Sequence, residues 1–219
     1  MIKYMEILKK CPLFEGIGES DLQKMLHCLG ARQESFDKKY TVFSEGSRAK
    51  YIGIVLSGSV QISRVDYYGN RSILSNALQG EVFAEAFACA SAEALPVSVI
   101  ANEASEVLLI DCSHILHTCQ NGCGFHHQLI YNLMKDLAQK TIQIHERAEV
   151  TSKRTTREKL MTYLMLCAKK EGKDCFEIPF DRQELADYLE VERSGLSAEI
   201  GKLQREGVLY SRKKLFRLL

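Results

Sequence analysis

The hydrophobic period of this 219-residue chain changes twice, and that change restricts its architecture more than any single motif does. At the N-terminus the apolar spacing is helical. Leu22, Met25, Leu26 and Leu29 follow Glu19, Ser20 and Asp21, with Gly30 as the stop. From about residue 40 to 110, short aliphatic and β-branched runs alternate with polar residues, as in Val60-Gln61-Ile62-Ser63. Glu45-Gly46, Ser57-Gly58 and Gly69-Asn70 place turn chemistry between them, which predicts short antiparallel strands in a barrel or sandwich. After Gly124 the period is helical again. Ile130, Leu137 and Ile144 recur every seven residues, and so do Met134, Thr141 and Ala148, offset by four. Together they form an a/d seam of about three heptads, which predicts a long helix pairing with a second copy. The alternative is one long helix packed on its own domain. Thr141 and Ala148 make the seam a soft one, suited to a helix that shifts.

The C-terminal segment 181–204, DRQELADYLEVERSGLSAEIGKLQ, holds two short amphipathic stretches joined by a turn. Leu185, Ala186 and Leu189 face inward from the first and Leu196, Ile200 and Leu203 from the second, with Val191 in the turn. Ala186 is small where two helices cross. This is a helix-turn-helix, an arrangement that inserts its second helix into the DNA major groove. The tail GVLYSRKKLFRLL alternates apolar residues about Arg212-Lys213-Lys214 and reads as a β-hairpin wing. A small helical bundle without a DNA role is the plainer alternative.

Charge is distributed unevenly. Residues 1–71 carry 11 basic and 8 acidic side chains, residues 72–134 carry no lysine or arginine and 6 acidic ones, and residues 135–219 carry 18 and 14. The basic C-terminal portion permits nucleic-acid binding, although lysine and arginine placement matters more than the total. Glu6 and Lys9-Lys10 interrupt the apolar start, and no run approaches the roughly 18 apolar residues of a membrane span. Neither a signal peptide nor a membrane partner is expected. Eight cysteines spread along a chain of this size are then expected as reduced thiols in a cytoplasm. No Gly-rich phosphate loop, nucleophile elbow or paired-carboxylate motif is present, so the chain does not read as an enzyme.

In this order, a capping helix, a β-roll, a long helix and a winged helix-turn-helix resemble the CRP/FNR transcription regulators over nearly the whole chain. The motifs that carry the resemblance are CPLF at 11–14, EG at 45–46, LSGSVQIS at 56–63, GEVFAEAF at 80–87 and RQELADYL…RSGLSAEI across 182–200. The resemblance implies an α+β fold: an N-terminal β-roll (jelly-roll-like) sensor domain over 1–123, a dimerisation helix over 124–150 and a winged helix-turn-helix over 151–219. It also implies a homodimer on double-stranded DNA with a two-fold-related operator, with RNA polymerase as a further partner. Arg193 matches the position of a guanine-reading arginine, a contact that discriminates by about 1–3 kcal/mol. Ser194 and Ser197 share its leading face, and Lys202, Arg205, Arg182 and Gln183 are the expected phosphate contacts. Two departures matter. Ala198 stands where many relatives carry a base-reading arginine. Glu190 stands at a turn position often filled by glycine, and a left-handed conformation there costs a non-glycine residue about 1–2 kcal/mol.

The effector differs too. In cyclic-nucleotide members a glutamate of the GE-containing loop takes the ribose hydroxyl, and an arginine about ten residues later pairs with the phosphate. Glu85 matches the glutamate, but Ala84 replaces the glycine before it and Leu95 or Pro96 falls at the arginine position. Burying a phosphate without a cation costs roughly several kcal/mol, and Glu81 and Glu85 oppose it further. The resemblance therefore carries a pocket of Glu81, Glu85, Val97, Ser98 and Thr141 for an unknown small-molecule effector, but not cAMP. The alternative is that Glu85 only caps a turn. An iron–sulfur cluster is disfavoured, since only Cys11 and Cys28 lie near the N-terminus. In HILHTCQNGCGFHHQLI, residues 114–130, Cys119, Cys123 and His126 are spaced to share a helix face. Thiolate and imidazole suit a metal, a haem iron or a redox thiol pair, while plain packing between β-roll and helix is the other reading. The reading is a DNA-binding regulator controlled by an effector, redox or gas signal. The rival is a β-roll ligand-binding regulatory or scaffold subunit without a DNA role.

Overall fold

The computed structural model of the chain describes residues 2–65, 67–68, 71–116 and 125–219. It forms two compact units, Met1–Gln139 and Lys140–Leu219.

The first unit opens with α1 (Met5–Lys10) and α2 (Glu19–Cys28). Extended Gly18 leads into α2, its carbonyl accepting from the N–H groups of Asp21 and Leu22. Thus Glu19 and Asp21 lie inside the first turn rather than before it, where their charges complement the helix dipole. Eight strands follow: β1 (Arg32–Phe36), β2 (Thr41–Phe43), β3 (Tyr51–Ser57), β4 (Val60–Val65), β5 (Arg71–Ala77), β6 (Val82–Phe83), β7 (Ser98–Ala101) and β8 (Ser105–Asp111). Helix α3 (Glu85–Cys89) separates β6 from β7, and α4 (Cys112–Leu116) follows β8 directly. The strands form two four-stranded antiparallel sheets, β1-β8-β3-β6 and β2-β7-β4-β5, which make the β-roll.

The segment YIGIVLS shows why one sheet lies inside the unit. An almost continuous apolar run can be buried on both faces. Ile52, Ile54 and Leu56 join Leu8, Leu13, Phe14, Leu22 and Leu26 of the helical cap, whereas Val55 packs with Val60, Val99 and Val107 between the sheets. Gly53 pairs with Phe83, and a Cβ there would sit 2.1 Å from the Phe83 ring. Glycine is required because the ring occupies the side-chain space. Phe83 also meets Phe43 with ring centroids 5.7 Å apart, so aromatic and aliphatic side chains fill the space between the sheets.

Helix α5 (His126–Thr151) continues from the first unit into the second. Leu129 and Leu133 are its core-facing residues in the first unit, at 0% and 2% exposure. The seam expected from the heptads lies one position round from them. Met134 is 65% and Ile144 67% exposed, and Thr141 and Ala148 are exposed. Ile130 and Leu137 are half-buried.

The second unit contains α6 (Thr156–Glu171), β9 (Cys175–Glu177), α7 (Arg182–Leu189), α8 (Arg193–Arg205), β10 (Leu209–Arg212) and β11 (Leu215–Leu218). Thr155 with Glu158 and Asp181 with Glu184 form reciprocal capping boxes that start α6 and α7. Leu185, Ala186, Leu189, Leu196, Ile200 and Leu203 are all buried, as the periodicity predicts. The wing hairpin turns at Lys213, whose φ is +55°. Its sheet has a third strand, ordered β10-β11-β9. Three residues are too few for an alternation to be read, which is why β9 is absent from the sequence pattern.

Candidate nucleic-acid interface

Helix α8 buries Leu196, Ile200 and Leu203 and leaves Arg193, Ser194, Ser197, Lys202 and Arg205 exposed. Arg193 is its first residue, next to Glu192, which makes no side-chain cap. No acidic residue lies within the first turn of α8, and Arg193 and Ser194 at its leading end are exposed beside the Glu192 side chain.

In the turn before α8, the position that the resemblance often fills with glycine does adopt the left-handed conformation. Glu190 is left-handed, at φ 54° and ψ 56°, and Val191 N–H donates to the Ala186 carbonyl at 3.0 Å. Lys159 of α6 supports the turn, its ammonium donating to the carbonyls of Leu189 at 3.1 Å and Glu190 at 3.3 Å. Arg157, also on α6, pairs with Glu206 at 2.7 Å and lies 3.8 Å from Glu199 on α8. Tyr163, Phe180 and Tyr188 make a cluster with centroids 4.9–6.0 Å apart. Burial pushes the Tyr163 phenol far above its ordinary range, so it stays neutral. None of these supports carries a local sequence signature, because each joins residues distant along the chain.

At the start of α7 the two expected phosphate contacts already have protein partners. Arg182 donates to Ser211 Oγ of the wing at 3.3 Å and lies 5.5 Å from the centre of the Phe216 ring. Half-burial lowers its pKa from the ordinary arginine value. Gln183 donates its side-chain amide to Asp187 at 2.9 Å. Asp181 accepts N–H bonds from Glu184 and Gln183, which hold its carboxyl below the usual range, with Lys214 and Arg193 adding to the effect.

The candidate effector residues occupy several environments. Ala84 is left-handed at φ 62°, directly before Glu85, where the resemblance places glycine. Glu85 is buried in the first turn of α3, and Leu95 and Val97 are buried too. Ser98 Oγ accepts from the Glu45 N–H at 3.2 Å. Glu81 is exposed; its carboxylate accepts from Leu78 N–H at 2.9 Å and it lines a shallow cleft of about 250 Å³ with Ile7, Lys10, Pro12, Gln79 and Gly80. Glu85, Val97 and Ser98 are not among the lining residues of that cleft. Thr141 is exposed on α5, in the second unit.

Of the cysteine–histidine cluster, Cys119 and Cys123 lie outside the described residues. His126 is buried and its Nε2–H donates to the Ile115 carbonyl at 2.6 Å, leaving only Nδ1 to accept or ligate. His114 Nδ1–H donates to the Leu29 carbonyl at 2.9 Å. Among the described residues, no three His, Cys, Asp or Glu side chains group to hold a metal ion, and no helix is long and apolar enough to cross a membrane.

Sequence comparison matches residues 33–121 to the cyclic nucleotide-binding domain family and residues 158–219 to the Crp-like helix-turn-helix domain family. No curated protein matches the chain. Among solved structures, the c-di-GMP responsive global regulator CLP of Xanthomonas campestris is 18% identical with a TM-score of 0.59, covering 92% of this chain and 99% of its own. The catabolite activator protein of Thermus thermophilus is 21% identical with a TM-score of 0.52, over 95% of this chain and 93% of its own. DNR of Pseudomonas aeruginosa is 22% identical with a TM-score of 0.51, over 100% and 95%. At these identities the likeness is one of fold.

Proposed function

Because the chain belongs to the CRP/FNR family of transcription regulators, which are not enzymes, we propose that it binds a two-fold-related DNA operator as a cytoplasmic homodimer. The observation that carries this reading is the leading end of α8, where Arg193, Ser194 and Ser197 are exposed while Leu196, Ile200 and Leu203 anchor the helix. Arg193 reads a guanine edge, and Ser194 and Ser197 contact bases or phosphates beside it. Lys202 and Arg205 neutralise phosphates further along the helix. Gln183 joins them when its amide leaves Asp187. Arg182 contributes chiefly by holding the wing through Ser211 and Phe216.

The dimer forms along α5, where Met134, Thr141, Ile144 and Ala148 present the uncovered seam. The signal enters through the β-roll. Its effector is not a cyclic nucleotide, since residues 72–134 offer no lysine or arginine to a phosphate. An uncharged or cationic small molecule suits the acidic β-roll better, with Glu81, Glu85, Val97 and Ser98 as the residues to vary. RNA polymerase is the natural further partner of such a regulator.

The test is selection of bound duplexes from a random library, followed by anisotropy titration at several salt concentrations. The reading requires a two-fold-related site and an affinity that falls with salt. Arg193→Ala should lose about 1–3 kcal/mol on that site and relax its sequence preference at one base pair. Retention of no duplex at low salt would favour a β-roll regulatory subunit without a DNA role.

A further inference from the structure

We propose that Cys89 and Cys112 form a reversible dithiol–disulfide site, oxidised by hydroperoxides and reset by thiol reductants. The two sulfurs lie 3.5 Å apart, and both thiols are free. Cys89 is the last residue of α3 and Cys112 the first of α4, so two elements separate in sequence meet at this contact. A disulfide bond is about 2.05 Å long, so closure needs an approach of roughly 1.5 Å. Each cysteine stands at the end of a helix of only five residues.

The two thiols are not equivalent. Cys89 is half-buried and reachable from solvent, whereas Cys112 is 3% exposed within the apolar core. The hydrogen bond from Cys112 lowers the Cys89 pKa, with burial and the Glu85 charge opposing. Cys112 is raised well above the ordinary thiol range by its contact with Cys89, by burial and by Asp111. Cys89 is therefore the thiol that ionises and attacks, and Cys112 the one that resolves.

The chemistry balances with a hydroperoxide as the named oxidant. The Cys89 thiolate attacks a peroxide oxygen and the O–O bond breaks; with hydrogen peroxide, hydroxide leaves and takes up a proton to become water. Cys89 is then a sulfenic acid. The Cys112 sulfur, losing its proton, attacks Sγ of Cys89. The S–O bond breaks and a second water leaves. Two thiols and one hydrogen peroxide thus become one disulfide and two waters, the two electrons passing from sulfur to peroxide. A dithiol reductant reverses the step by exchange. This chemistry does not depend on the DNA-binding reading or on the 119–126 cluster.

The test treats the reduced full-length protein with one equivalent of hydrogen peroxide, blocks remaining thiols and maps the peptides without reduction. Trypsin cannot separate the pair, because no lysine or arginine occurs between Arg71 and Lys135. Glutamate-specific cleavage followed by chymotrypsin divides Cys89 from Cys112, and Cys112 from Cys119 and Cys123. The expected product is a cross-linked pair of peptides, lighter by two hydrogens than their sum and released by dithiothreitol. In Cys112→Ser, dimedone should trap Cys89 as a sulfenic acid at several-fold the wild-type yield. The proposal is overturned if Cys89 and Cys112 are both alkylated while other cysteines oxidise. It is overturned equally if Cys89 passes to a sulfinic acid with Cys112 still free, or if Cys112 joins another cysteine. The wild-type map decides these outcomes even if the variant misfolds.

Discussion

The ammonium of Lys159 donates to the carbonyl oxygen of Leu189 at 3.1 Å, and so closes the C-terminal end of α7 from a neighbouring helix. The last carbonyls of a helix lack intrahelical partners, and a cation there also complements the dipole. The same ammonium reaches the Glu190 carbonyl, so one side chain steadies the whole turn that aims α8.

Lys159→Met should therefore lower the stability of the winged helix-turn-helix by about 1–2 kcal/mol, the worth of a charge-assisted hydrogen bond at a half-buried site. Denaturant unfolding of the full chain, followed by a probe in the second unit, checks the value. An unchanged midpoint would mean that water replaces the ammonium without loss.

Glu190→Gly should act in the opposite direction. Its left-handed φ of 54° strains a residue with a Cβ, and glycine relieves that strain. A gain of about 1 kcal/mol is expected, because the 3.9 Å pair with Arg147 that it forfeits is exposed and weak. A raised unfolding midpoint with unchanged slope is the signature to look for.

Gly53→Ala should destabilise the β-roll by roughly 1–3 kcal/mol through overpacking against Phe83. Combining it with Phe83→Leu removes the clash, and the double mutant should recover part of the loss. A double-mutant cycle with no coupling would contradict the packing described.

The capping carboxylate of Asp181 makes a pH prediction. Its folded pKa is depressed, chiefly by the N–H of Glu184, so its contribution is complete above the ordinary carboxylate pKa and is lost as pH falls through the folded value. Asp181→Asn keeps a capping oxygen that does not titrate. Its stability relative to wild type should rise as pH is lowered from 5 to 3, read from paired urea titrations.

Met134→Lys with Ile144→Lys places two charges on the uncovered face of α5. Sedimentation equilibrium should show a shift to monomer, with the far-ultraviolet circular dichroism of the chain unchanged. A dimer of undiminished affinity would place the interface elsewhere.

Much of this architecture is legible along the chain because local geometry encodes it. A helix repeats every 3.6 residues and a strand every two, so inward positions show themselves as periodic apolar residues. That is why Leu185, Ala186, Leu189, Leu196, Ile200 and Leu203 could be picked out as core; the left-handed turn at Glu190 was flagged only by the resemblance, which has glycine there in many relatives. The departure at Ala84 is of the same kind: a residue standing where the backbone wants glycine.

What the tertiary structure alone decided is which side chains from distant segments meet. The apolar spacing of α5 accommodates more than one inward face, and packing against Leu8, Leu13 and Phe14 assigned that role to Leu129 and Leu133 while leaving Met134 and Ile144 uncovered. Arg182 looks like a free cation at a helix start, yet the folded wing brings Ser211 and Phe216 to it. Lys159 and Leu189, and Cys89 and Cys112, have no periodic relation at all. Such contacts arise from the closure of whole elements on one another, where shape and burial select partners that no local repeat specifies.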